Sequence, residues 1–120
     1  MKRLLAIFLS FILLMSFTNF AVAEAKTVFK CKFNGLAFYI TIDESDLTAR
    51  LGTSIGIGNY GQAYFDSLHK VWIVIEFAGR SLPDTLTTIK PDGSSFHSRH
   101  TISSSDTVYA SQSEGSCSKL

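Results

Sequence analysis

The feature that most constrains this chain is an alternation of apolar and polar residues with a period of two. Turn residues interrupt it every eight to twelve positions from residue 28 onward. Alternation puts successive side chains on opposite faces of a strand, so one face can be buried while the other meets water. No stretch of this region carries apolar residues at helical spacing, and Thr, Ser, Ile, Val and aromatic residues are abundant, which suits strands. The pattern predicts eight strands, over 28–33, 36–42, 47–51, 54–65, 71–77, 85–89, 95–102 and 107–112. In the first, Phe29, Cys31 and Phe33 share a face while Lys30 and Lys32 take the other. In the second, Phe38, Ile40 and Ile42 align. In the third, Leu47, Ala49 and Leu51 are expected to point inward and Arg50 outward. The fifth is the most apolar, with Val71, Ile73, Ile75 and Phe77 on one face and Trp72, Val74 and Glu76 on the other.

The turns carry their own chemistry. Asn34-Gly35 is a strong two-residue hairpin signal. In Pro91-Asp92-Gly93, proline presets φ and glycine accepts a positive φ. With connections this short, strands adjacent in sequence are expected to be adjacent in the sheet. The expected fold is all-β: a small antiparallel up-and-down barrel of about eight strands, closed by one disulfide. A two-sheet β-sandwich is the alternative. The disulfide would join Cys31 and Cys117, the only two cysteines, tying the first strand to the tail after the last. Closure of this kind removes exposed strand edges. Two thiols without histidines beside them do not make a zinc site, and no metal or cofactor is expected.

An even cysteine pair implies an oxidising compartment, and the N-terminus agrees. Met1-Lys2-Arg3 is followed by an uncharged run over 4–17, 14 residues long. That is too short for a membrane-spanning helix, which needs roughly 20 residues. Small residues then stand at Ala21 and Ala23, the −3 and −1 positions of a signal-peptidase site. Residues 1–23 are therefore read as a cleaved signal peptide, and 24–120 as a single secreted β domain in the periplasm or outside the cell. Losing Lys2 and Arg3 leaves 9 basic against 10 acidic residues, a net charge of −1. Nucleic acid and anionic membranes call for a basic face instead, so neither is an expected partner, and no stable membrane insertion is expected after cleavage.

Gly56-Ile57-Gly58-Asn59-Tyr60-Gly61 spells the glycine pattern of dinucleotide-binding loops. That motif needs a strand before it and a helix after it. Here the strand pattern continues, so the glycines read as bulges that bend a barrel strand. The densest polar cluster is Ser95-Phe96-His97-Ser98-Arg99-His100-Thr101. On a strand, His97 and Arg99 share one face and Phe96, Ser98 and His100 the other. With Phe96 turned inward, His100 becomes a buried histidine. His97 and Arg99 then form an exposed strip of donors suited to a carboxylate or another anion. The alternative is a solvated face with a cross-strand partner such as Thr87 or Asp84. Tyr60 and Tyr64 are further candidate binding residues, because half-polar aromatics anchor interfaces; Trp72 and Tyr109 are of the same kind. No G-x-S-x-G elbow is present, and a domain this small has little room for a cleft between paired carboxylates. No catalytic residues are assigned and enzymatic activity is not expected.

Thr87-Thr88-Ile89, Asp92-Gly93, His97-Ser98-Arg99-His100-Thr101, Ser111-Gln112, Gly115 and Cys117 resemble a group of small secreted bacterial proteins without an assigned activity. Their pattern is T-T-I-x-x-x-G-x-x-x-H-S-R-H-T followed by S-Q-x-x-G-x-C, and the likeness covers about residues 85–117. It implies export and one compact domain, not a mechanism. Ser54-Ile55-Gly56-Ile57-Gly58-Asn59-Tyr60 resembles more loosely the serine-glycine loop of periplasmic inhibitors of c-type lysozyme. Those are also small disulfide-closed β-barrels, but the loop spacing differs and their inhibitory role is not carried over. The functional expectation is an exported, non-enzymatic binding module. Its partner would be a protein, a glycan or a small anionic ligand in the envelope or outside the cell. A structural or surface envelope protein, or an inhibitor of a secreted hydrolase such as lysozyme, is the alternative.

Overall fold

The computed structural model describes residues 25–77, 84–102 and 105–120. The expected leader, the expected cleavage site after Ala23 and the expected loop around Pro83 lie outside the described residues. Eight strands follow one another: β1 (Lys26–Phe33), β2 (Leu36–Asp43), β3 (Thr48–Ser54), β4 (Ile57–Asp66), β5 (Val71–Glu76), β6 (Asp84–Ile89), β7 (Ser94–Ile102) and β8 (Val108–Lys119). Each pairs antiparallel with the next, and β8 pairs with β1, which closes an up-and-down barrel. Among the described residues there is no helix.

Local chemistry sets several of the turns. Asn34 and Gly35 both take positive φ, 49° and 78°, as the tight β1–β2 hairpin requires. Asp43, Asp46 and Asp92 each accept hydrogen bonds from the backbone N–H and the hydroxyl of the residue two positions on, Ser45, Thr48 and Ser94. These side chains replace backbone partners that a turn leaves unpaired. The glycines at the β3–β4 junction act by absence of bulk. A Cβ at Gly58 would collide with the Leu51 carbonyl, and one at Gly52 with the Ile57 carbonyl. The register shifts there, between Leu51 and Ser54. Gly58 thus lies at a bulge that lets two strands press together, whereas Gly56, with φ 76°, makes the β3–β4 turn, which falls inside the strand expected over 54–65.

Closure follows from β1 and β8. Cys31 stands opposite Cys117 in the register and is bonded to it. β8 is longer than expected and carries Cys117 within the sheet rather than in a tail. The lumen is filled unevenly. Phe29, Phe33, Ile40, Ile42 and Leu51 are buried on β1 to β3, whereas β6 and β7 contribute buried Thr85, Thr87 and Ser95 and one large residue, Ile89. Large residues on one wall face small ones on the other, as a narrow barrel demands. At Gly115 the fit is tight: an added Cβ would run into the Lys32 carbonyl and the Phe33 ring.

Two sidedness expectations change. Leu47 lies in the turn before β3 with φ 58° and is exposed, so only Ala49 and Leu51 serve the core. On β5 the more apolar face points outward: Val74 is fully buried and Trp72 packs on the core, while Tyr64 and Leu86 stand beside Ile73 and Ile75 outside. Composition favours the Val71-Ile73-Ile75-Phe77 face for burial. The register instead sets Ala63, Val74 and Thr87 in one inward row, where the crowded lumen accepts only modest volumes.

Candidate functional site

The inward parity of β8 is fixed by Cys117, so Gly115, Ser113 and Ser111 face the lumen. Through the β7–β8 register their partners Ser95, His97 and Arg99 face it too. Phe96 and His100 point outward and are exposed. The expected arrangement is therefore reversed: His97 and Arg99 line the inside of the barrel, and His100 is not a buried histidine. The physical reason is volume. Phe33 already fills the lumen against Gly115, so β7 can place Ser95 there but not the Phe96 ring.

Around His97 and Arg99 one mouth of the barrel holds a cavity of about 290 Å³. Phe38, Leu51 and His97 lie on its deeper side, and Asn59, Glu76, Thr85 and Arg99 complete its wall. The His97 ring packs against Phe33 and Phe38, with centroids 5.3 and 5.6 Å away. Its Nδ1 is 2.8 Å from the Thr87 hydroxyl, the cross-strand partner that the sequence suggested, now inside rather than outside. Burial is the main influence that holds the His97 pKa below the usual histidine value, with the Arg99 charge adding to it. The ring is consequently neutral at pH 7.

Glu76 is a further candidate site residue, which the sequence pattern did not single out. It sits half-buried in the same cavity. Burial raises its pKa, and the nearby Asp84 adds to the rise. A hydrogen bond donated by the Asn59 amide and the positive charge of Arg99 oppose it. The only sequence signal was its place on the Trp72-Val74 face, whose inward direction could not be read from alternation alone. Between Glu76 and Arg99 stands Thr85, 4% exposed, whose Oγ1 has no hydrogen-bond partner among the described residues. A buried hydroxyl left unpaired costs about 1–3 kcal/mol.

The tyrosine candidates do not join this cavity. Tyr60 is on the outer surface, stacked on Phe77 with centroids 6.2 Å apart and with the Arg50 guanidinium 5.5 Å from its ring. Tyr64 is also outside and exposed, its hydroxyl 3.1 Å from Gln62 Oε1. The opposite mouth has a second cavity of about 380 Å³, walled by Phe29, Trp72 and Ile89, with Lys70, Lys90 and Lys119 at its edge. Its inner residues are largely apolar and its charges are solvated.

Fold and site together define a small disulfide-closed barrel with a polar cavity in one mouth. No family model, curated protein or solved structure matches this chain.

Proposed function

We propose that this protein is an exported, non-enzymatic binding module that takes a small carboxylate-bearing ligand into the polar mouth of its barrel. The observation that carries this reading is the convergence of Arg99, His97 and the unpaired Thr85 hydroxyl on one concave site. A few polar groups aimed into a partly apolar cavity is the usual composition of a small-ligand site. Arg99 supplies the fixed charge, since a guanidinium matches a carboxylate with two parallel hydrogen bonds. His97 contributes shape and a polar ring edge rather than charge, because burial keeps it neutral. The reading of residues 1–23 as a leader supports export to the periplasm or beyond, and the Cys31–Cys117 bond is compatible with an oxidising compartment.

The test is an NMR titration of the purified, disulfide-intact protein with a panel of small carboxylates and other metabolites. Shifts of the Thr85, His97 and Arg99 amides that vanish in Arg99→Ala are the expected result. A panel that leaves those amides unmoved while the protein stays folded removes the basis of the reading.

A second reading rests on the outer surface. Tyr64, Leu86, Phe96, Tyr60 and Phe77 are exposed around the outward face of β5, and contiguous apolar surface often marks a protein contact. A protein partner, such as a secreted hydrolase, would dock there. Tyr64→Ala and Leu86→Ala would weaken such a complex and leave the mouth titration unchanged.

A further inference from the structure

The mouth contains a carboxylate as well as a guanidinium, and their placement narrows the ligand. Glu76 pairs with Thr85, and Thr85 with Arg99, across β5, β6 and β7. All three face the same cavity. Neighbouring strands are about 4.8 Å apart, so the two charged residues leave the wall roughly 10 Å from one another with the threonine between them. Deeper in, Phe38 and Leu51 offer apolar surface.

Resting on the mouth as the binding site, we propose that its ligand is a small zwitterion of the α-amino acid class. Its carboxylate is held by Arg99, its ammonium group by Glu76, and a polar atom of its head pairs with Thr85 Oγ1. The apolar side chain of the ligand lies toward Phe38 and Leu51.

Charge complementarity selects this class over its neighbours. A carboxylate without a cation would bring a second negative charge into the cavity that holds Glu76, and like charges there oppose binding. An amine without a carboxylate would meet Arg99. A neutral ligand would desolvate both side chains and compensate neither. An α-amino acid carries both charges about 3 Å apart, and hydrogen bonds of about 2.8 Å at each end let one molecule bridge the two walls. The buried Thr85 hydroxyl has no partner among the described residues and gains one on binding. The cavity, about 290 Å³, lies at the lower end of the range of ligand pockets, about 300–1,000 Å³, which suits a ligand this small.

The experiment uses the disulfide-intact protein and calorimetric titration with the common α-amino acids. The tightest binder is then compared with its deaminated acid and its decarboxylated amine; for leucine these are 4-methylpentanoate and 3-methylbutylamine. The expected result is binding of the amino acid and a tenfold or greater loss with each one-charge analogue. Glu76→Gln should bring the amino acid and the deaminated acid to within about threefold of each other. Thr85→Val should weaken the amino acid several-fold while raising the melting temperature of the empty protein, since it removes a buried unpaired hydroxyl at nearly constant shape. A deaminated acid that binds as tightly as the amino acid overturns the zwitterion assignment and leaves the mouth as an anion site. Absence of amino-acid binding, with other metabolites still shifting the Thr85 and Arg99 amides, overturns it in the same way. If no metabolite shifts those amides, the mouth itself fails as the site.

Discussion

Both mouths of the lumen hold a cavity: at one Phe29, Trp72 and Ile89 lie beside Cys117 of the disulfide under a rim of exposed lysines, whereas at the other Asn59, Glu76, Thr85 and Arg99 stand over Phe38 and Leu51. Both ends are built from the same eight strands, yet they answer different demands. The first end encloses apolar surface and the covalent closure, which is what a domain of this size needs to stay folded. The second places the half-buried Glu76 carboxylate and the buried Thr85 hydroxyl, beside the exposed Arg99, where the first two burden the empty fold. If the proposed site is right, stability and binding are concentrated at opposite mouths, and substitutions should separate them.

The largest expected effect lies at the closed end. The Cys31–Cys117 bond spans a sequence separation of 86, and in the chain-entropy model such a loop contributes about 4–5 kcal/mol. Reduction, or the double change to serine, should lower the melting temperature by on the order of 20 °C, as calorimetry with and without reductant will report. A shift of only a few degrees would mean that the strands hold the closure without the bond. Next in size, Ile40→Ala removes a fully buried side chain and should cost about 2–5 kcal/mol in chemical denaturation. Its counterpart at the open end, Arg99→Ala, should alter stability by no more than about 0.5 kcal/mol while abolishing ligand-induced shifts. Equal stability losses in the two variants would erase the contrast between the ends.

Two smaller effects concern pH. The His97 pKa is lowered by folding, so the unfolded chain binds a proton more readily. The stabilising effect of keeping the ring neutral is present above the usual value of 6.5 and is lost as pH falls through the folded pKa. Melting curves should therefore weaken on going from pH 7.5 to pH 5, and His97→Gln should flatten that slope. Glu76 has the opposite sign. Its pKa is raised above 4.5, so its contribution is favourable below that pH and is lost as pH rises through the folded value. Glu76→Gln should give the smallest change, a slight rise in melting temperature at pH 7 that shrinks toward pH 4. A fall at pH 7 would show that Glu76 supports the fold instead of burdening it.

Much of the scaffold was legible because its signals are local. The Asn34-Gly35 turn, the Phe29-Cys31-Phe33 face, the Phe38-Ile40-Ile42 face and the bulge at Gly58 depend on residues close in sequence, whereas Gly56 makes a turn and Gly61 sits in a regular ladder. The site was less legible. That His97 and Arg99 share a face follows from the period of two, but that the face looks inward depends on Phe33 filling the space beside Gly115. Glu76 joined them only through the β5–β6–β7 register. The choice between the faces of β5 went against composition for the same kind of reason.

The amino-acid sequence alone determined strand number, order and the pairing of neighbours, because short turns with specific φ requirements and alternating side chains leave few other solutions. Tertiary structure decided which face of each later strand is enclosed, and so which polar groups meet. Alternation says that two residues lie on one side. Only the volume already occupied by the opposite wall says whether that side is within the barrel or outside it.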